Sequence, residues 1–295
     1  MIEYSHEGMT VASFHDERTG SFQYVVVDGI TKRAAIIDPV LDFDPRAGAT
    51  STTNADRILD YVAAKGLTVE WVLDTHPHAD HFSAAPYLAG KTGGRTAIGA
   101  KVTEVQKLWQ NIYCLPDLRV DGSQWDKLFT HGETFRIGSL EARVMFSPGH
   151  TLASITYVVG DAAFVHDTLM VPDSGTSRAD FPGGDARALW RSIRAILELP
   201  PGTATYVGHD YGKDGREVIG RSTVADQRQH NIHMRDGIDE ETFVATREAR
   251  DATLPLPNLM LAALQVNIRG GRLPEAEACG TAFLKLPLNR FGGGK

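Results

Sequence analysis

Thr75 to His81 reads THPHADH, which sets three imidazoles and a carboxylate within six residues, directly behind the β-rich run Val69–Thr75 (VEWVLDT). A strand that runs into a knot of polar side chains after a helix-to-strand connection is where α/β folds place their sites. Neutral imidazole and carboxylate are natural ligands for zinc, iron(II) or manganese. The chain must therefore fold so that further donors meet this strand end. With 11 histidines in 295 residues, chance clustering of surface histidines is a poor account of the segment.

Two β-rich runs, Ser21–Asp28 (SFQYVVVD) and Arg33–Val40 (RAAIIDPV), flank the turn-prone Gly29 and read as a hairpin that opens a sheet. Asn54 as an N-cap predicts a helix over Ala55–Lys65, with Ile58, Leu59 and Val62 on one face and Gly66 ending it. Ser83–Leu88, closed by Gly90, reads as helical, Arg95–Gly99 as a short strand and Val102–Tyr113 as a second helix. Thr134–Ile137, Leu140–Phe146, Ser154–Val159 and Ala162–His166 are short strand-like runs broken by Gly138, Ser147-Pro148-Gly149 and Gly160, which predicts a second, antiparallel sheet. Asp185 then caps an amphipathic helix carrying Leu189, Trp190, Ile193, Ile196 and Leu197, which ends at Pro200-Pro201. A further strand, Thr205–Gly208, runs into His209. Helical patterns follow at Thr223–His230 and Glu240–Arg250, then a mixed apolar segment, Leu259–Ile268. Interleaved strands and helices in two halves predict two packed sheets with helices outside. We expect one domain over residues 1–295, with a mainly helical C-terminal segment from about 222.

Three more polar residues end predicted strands: His150 behind Ser147-Pro148-Gly149, Asp167 behind Ala162–His166, and His209. Singly they read as a turn histidine, a helix N-cap aspartate and a hydrogen-bonded core histidine. All of them falling at strand ends makes convergence on the THPHADH segment the better reading.

On these residues the chain resembles the metallo-β-lactamase superfamily, over Tyr24 to Tyr211. The resemblance implies an α/β fold, an αββα sandwich of two mixed β-sheets with helices on both outer faces. It also implies a first metal site of His76, His78, His150 and Asp167, and a second of Asp80, His81 and His209 sharing Asp167, set up for hydrolysis by a bridging hydroxide. Asp173–Ala186 (DSGTSRADFPGGDA), His209-Asp210-Tyr211 and Gln265–Pro274 (QVNIRGGRLP) are similar to the persulfide dioxygenases, also called sulfur dioxygenases, over nearly the whole chain. That resemblance implies one Fe(II) per chain on His76, His150 and Asp167, with His78, Asp80, His81 and His209 around them. It further implies glutathione persulfide and O2 as substrates, sulfite and glutathione as products, and a homodimer. Two-His-one-carboxylate ligation leaves iron positions open, which suits a sulfur substrate and O2 together. The segment Thr176–Pro182 (TSRADFP) departs from the GRTDFQ often found there in members that use glutathione.

An acidic chain that binds a glutathione with two carboxylates needs local positive charge, so Arg178 and Arg269 are expected substrate contacts, with Lys213 and Arg272 nearby, and Tyr211 is expected to donate a hydrogen bond to the substrate. The bland readings are an Arg178–Asp180 surface pair and a packed Tyr211 with a satisfied hydroxyl. His166, just before Asp167, is expected to be buried or hydrogen-bonded. His230 and His233 form an i, i+3 pair that lacks further ligands, and His6, His15 and His131 read as surface or turn residues. Cys114 and Cys279 read as small buried hydrophobes, too few for a disulfide framework.

Composition narrows the function classes. Lys plus Arg is 30 against 37 Asp plus Glu, a net charge of −7, which disfavours a nucleic-acid surface and with it a nuclease of the same fold. No apolar run approaches a membrane span. Glu3, Glu7, Asp16 and Glu17 make the start of the chain unlike a signal or transit peptide, so a cytoplasmic location is expected. The alternative function, a dinuclear zinc hydrolase of glutathione thioesters (as glyoxalase II is) or of lactones, uses the same donor set. A non-catalytic member would have lost ligands, and none is lost here.

Overall fold

Along Ser21–Asp28 the side chains alternate between two apolar clusters: Phe22, Tyr24 and Val26 face one, Val25 and Val27 the other. Arg33–Ile37 does the same, with Ala35 and Ile37 on the first side and Ala34 and Ile36 on the second. A period of two with both faces apolar is what a strand buried between layers requires.

The computed structural model describes residues 1–291. Its strands are β1 (Ile2–His6), β2 (Met9–Asp16), β3 (Ser21–Asp28), β4 (Arg33–Ile37), β5 (Val40–Asp44), β6 (Ala49–Ser51), β7 (Thr68–Leu73) and β8 (Phe82–Ser83), then β9 (Arg95–Gly99), β10 (Lys127–Phe129), β11 (Thr134–Ile137), β12 (Leu140–Phe146), β13 (Ile155–Val159), β14 (Ala162–His166), β15 (Ala204–Val207) and β16 (Arg221–Thr223). Its helices are α1 (Thr53–Ala64), α2 (Ala85–Thr92), α3 (Val102–Tyr113), α4 (Ala186–Leu197), α5 (Val224–His230), α6 (Glu240–Asp251) and α7 (Met260–Asn267).

A seven-stranded sheet runs β1-β2-β3-β4-β7-β9-β10, antiparallel up to β4 and parallel beyond it. A six-stranded sheet runs β11-β12-β13-β14-β15-β16, in which only β14 and β15 are parallel. Both sheets are mixed, and their inner faces share one core that includes Tyr24, Leu73, Phe129, Tyr157, Phe164 and Tyr206. Ile58 and Val62 of α1 and Leu88 of α2 cover the outer face of the first sheet. Leu189, Ile193, Ile196 and Leu197 hold α4 to the second, each burial contributing about 1.5–3 kcal/mol. Asp185 caps α4 as expected, accepting from Ala188 N. The fold is the αββα sandwich that the resemblance implies.

Several expectations need correcting. The first sheet starts at Ile2, not at Ser21: β1 is an exposed edge strand and β2 carries Ser13, His15 and Asp16, so neither shows a clean apolar pattern. Ser83–Leu88 is not one helix; α2 begins at Ala85 and passes through Gly90 to Thr92. Asn54 does not cap α1 but lies inside it, its amide held by Asp42 and Asp16. His6 is no surface histidine: its rings of contacts are Asp161 Oδ1 and Tyr206 Oη, both at 2.7 Å, and they tie β1 to the second sheet. His15 lies on β2 against the Phe22 ring, whereas His131 is an exposed turn residue. Cys114 and Cys279 are exposed, Cys114 at the left-handed C-cap of α3 with φ 50°. Among the described residues no helix is long and apolar enough to cross a membrane.

Candidate metal centre

The expected strand Arg33–Val40 is broken at Asp38, which has φ 52° and turns its carboxylate inward. Asp38 accepts from Thr75 N at 2.7 Å and from the Thr75 hydroxyl at 2.8 Å. The Thr75 hydroxyl, having donated its proton to Asp38, accepts from His76 Nδ1 at 3.0 Å. This relay fixes the His76 tautomer and leaves Nε2 with a free lone pair. That Nε2 is buried and has no hydrogen-bond partner among the described residues.

His150 is prepared in the same way. Gly149 lies against the backbone of Leu189, where a Cβ would come within 2.3 Å, so the turn packs directly on α4. His150 Nδ1 donates to the Arg178 carbonyl at 2.8 Å and Nε2 faces Asp167 Oδ2 at 3.6 Å, while His76 Nε2 stands 3.8 Å from the same oxygen. Asp167 follows a β-bulge between Phe164 and His166, and bulges re-aim side chains at strand ends. His166 takes φ 40° there, and its buried ring bonds Ser147 and Thr168. Burial lowers the pKa of both His76 and His150, which keeps them neutral as ligands must be.

His76, His150 and Asp167 thus bring one ligand atom each within 4.8 Å of one another, all three residues buried. Two ligands about 2.1 Å from a shared ion stand roughly 3–3.6 Å apart, so the observed spans need little closing. The orphaned Nε2 and this spacing fit a metal ion.

His78 is not part of that trio. Its Nε2 lies 3.0 Å from Asp38 Oδ1, and although burial opposes its charge, Asp38 pushes its pKa up to about 9. His209 has both ring nitrogens on carboxylates, Nδ1 to Asp167 Oδ1 at 2.6 Å and Nε2 to Asp80 Oδ2 at 2.8 Å. Burial opposes the charge there too, but these carboxylates raise the pKa of His209 well above its ordinary value. The same Asp80 oxygen meets His81 Nδ1 at 2.7 Å and the Ser21 hydroxyl at 2.8 Å. By position alone, His78–Asp80–His81, Asp80–Asp167–His209 and Asp38–Asp74–His78 also bring ligand atoms within 4.8 Å.

Of the expected substrate contacts, Arg178 has its guanidinium on Asp180 at 2.6 and 2.8 Å and on the Pro255 carbonyl at 2.6 Å, over the Phe181 ring. Tyr211 stacks on His209 and is 69% exposed at the rim. Arg269 is half-buried and donates to Gln265 O; Lys213 reaches Asp173 O and Arg272 reaches Gln124 O.

Sequence reasoning missed Asp38, Ser21, Gly208 and Asn267. Asn267, on α7, donates to the carbonyls of both His78 and His81 at 2.7 Å and accepts from Ser83 N at 2.8 Å, so it clamps the THPHADH turn from the far end of the chain. The QVNIRGGRLP segment signalled that something lay there, but not this role. Gly208 leaves room for Asp167 Oδ1, which a Cβ would approach to 2.3 Å.

His230 and His233 are not a metal pair: α5 ends at His230, and His233 Nδ1 accepts from Thr176 N at 3.1 Å. Burial, with the charges of Arg247, Arg250 and Lys213, lowers the His233 pKa to about 4. The unfolded chain therefore takes up the proton first as pH falls from about 6.5, and the contribution of the neutral ring is lost toward pH 4. After discounting for partial exposure, we expect His233→Gln to remove about 1–2 kcal/mol of the acid destabilisation between those pH values. Thermal melts across that range check it, and parallel Tm-against-pH curves for the two proteins would refute it.

Residues 17–209 match the metallo-β-lactamase superfamily, and the chain belongs to it. This is a superfamily of enzymes, and the donor groups gathered at the strand ends here are a candidate metal site. The chain is 64% identical over 283 residues to a beta-lactamase hydrolase-like protein of Xylella fastidiosa, covering 96% of this chain but only 65% of that protein. It is 45% identical to glyoxylase B2 of Dictyostelium discoideum, over 94% of this chain and 96% of that one. It is 28% identical to the mitochondrial persulfide dioxygenase ETHE1 of Homo sapiens, over 85% of this chain and 84% of that one. Among solved structures, ETHE1 from Myxococcus xanthus superposes with a TM-score of 0.71 at 31% identity, over 89% of this chain and 99% of that one.

Proposed function

We propose that the protein is a mononuclear non-haem iron(II) dioxygenase that converts a small persulfide, glutathione persulfide foremost, with O2 and water into glutathione, sulfite and protons. The observation that carries this reading is the composition of the trio: two neutral imidazoles and one carboxylate converge, while His78 lies outside it with Nε2 on Asp38 and His209 spends both nitrogens on carboxylates. Iron(II) on such a face supplies open positions for a sulfur ligand and O2 at once. The similarity to the two ETHE1 proteins supports the same chemistry.

The chain's own part is to hold the ligands and shape the rim. Thr75 and the Arg178 carbonyl fix the two imidazoles, and His209 orients Asp167 by donating to its other oxygen. Tyr211, exposed beside His209, offers its hydroxyl to the substrate. Arg178 takes a substrate carboxylate by exchanging Asp180 for it, and Arg269 is the remaining proposed contact. The second reading, a dinuclear zinc hydrolase of glutathione thioesters or lactones, is favoured by the Asp80–Asp167–His209 grouping and by the names of the Xylella and Dictyostelium relatives.

The deciding experiment is oxygen uptake by anaerobically iron(II)-loaded protein on addition of glutathione persulfide, with sulfite assayed at the end. Equimolar O2 consumption and sulfite release are expected. Absence of uptake, with zinc bound at a ratio of about two per chain, would transfer the site to the hydrolase reading.

A further inference from the structure

Arg247 and Asp251 form an ion pair one turn apart on α6, their side chains only 2% and 4% exposed. Taking two charges out of water is costly, and a buried pair is poor evidence of a stability gain. What this pair does with its remaining hydrogen-bonding capacity is specific. Arg247 donates Nε and Nη2 to Asp251 Oδ1 at 2.9 and 2.6 Å, and Nη1 to the Thr176 carbonyl at 2.9 Å. Asp251 Oδ2 accepts from Ala179 N at 2.8 Å. The pair therefore grips both ends of the segment Thr176–Ala179.

The two residues between those ends each touch the metal trio. The Ser177 hydroxyl donates to the Asp167 carbonyl, and the Arg178 carbonyl accepts from His150 Nδ1. We infer that Arg247 and Asp251 are positioning residues for the metal centre: through one gripped segment they set the tautomer and direction of His150 and the backbone position of Asp167. The planar guanidinium fork suits this, because it holds its donors to the carboxylate and to the carbonyl in fixed, separate directions, whereas an ammonium is a compact charge on a flexible stem. The inference rests on the three-donor reading of the centre, and not on which substrate the centre serves.

The test uses Co(II) alone as the probe, read by its affinity and its visible absorption, with Tm measured in parallel. Arg247→Met combined with Asp251→Leu removes both charges together, a replacement that is often neutral for stability. The double variant is expected to fold with a lowered Tm, because the Ala179 N–H and the Thr176 carbonyl lose their partners, to bind Co(II) about 10–100-fold more weakly and to show shifted absorption bands, as loss of supporting hydrogen bonds around metal ligands typically does. Arg247→Lys keeps a charge beside Asp251 and serves if the double variant fails to fold; it too is expected to lose affinity. Parental affinity and spectrum in a folded double variant, or in Arg247→Lys, overturns the inference. His150→Ala separates the two levels: if the parent binds Co(II) no more tightly than His150→Ala, it is the three-donor reading that fails.

Discussion

Replacing His76, His150 or Asp167 by alanine is expected to lower metal affinity by about 10²–10³-fold each, while Asp80→Ala keeps one tightly bound ion. A metal-binding free energy on the order of 10 kcal/mol divided among three donors assigns roughly 3–4 kcal/mol to each. Asp80 accepts from His81, His209 and Ser21 and does not belong to the trio, so its loss disturbs the orientation of Asp167 only through His209. The cost there is about tenfold, the lower end of what losing a supporting contact brings. Isothermal titration and metal analysis of the four variants decide the matter. If Asp80→Ala instead reduces bound metal from two ions per chain to one, the centre is dinuclear and the hydrolase reading takes over.

Gly208→Ala is expected to damage the same centre without touching a ligand. A Cβ at this position would stand 2.3 Å from Asp167 Oδ1 and 3.2 Å from the Asp167 nitrogen, so the carboxylate has to swing away from His209 and from the two imidazoles. Overpacking of this kind costs about 1–3 kcal/mol of stability. Displacement of a ligand by about an ångström adds a loss of metal affinity of roughly 100-fold. Gly90→Ala is the control: it lies in α2 with nothing within 4 Å of the new Cβ, and a stability unchanged or raised by up to about 1 kcal/mol is expected. A Gly208→Ala protein that binds metal like the parent would show that Asp167 has slack the geometry does not suggest.

The candidate donors were legible because imidazoles and carboxylates clustered at strand ends are chemically rare, and strands buried on both faces announce themselves as β-branched runs. Ser21–Asp28, Val102–Tyr113 and the Asp185-capped helix were readable for the same reason: their apolar spacing matches one period along its length. Asp38 was hidden inside an apolar run, since nothing local distinguishes an aspartate that turns inward from one that ends a strand at the surface. Asn267 acts on residues nearly 190 positions away, as its contact with His78 shows, and no local pattern encodes a partner at that separation. The same holds for the charges on α6. Beside exposed charges of the same helix such as Glu248 and Arg250, Arg247 and Asp251 look alike in sequence and differ in burial.

The metal trio joins the two sheets: His76 leaves the end of β7 in the first, while His150 and Asp167 leave β12 and β14 in the second. No pair of elements adjacent in the chain carries the full set, so an ion cannot template an early local nucleus as it does in a zinc finger. The donors meet only once long-range contacts between the halves have formed, and contacts of that kind form slowly. On the proposed metal reading, capture would therefore be a late event on the folding pathway, with the ion chosen by a finished protein. Which metal enters then depends on what is available where folding ends, as much as on the affinity of the three donors.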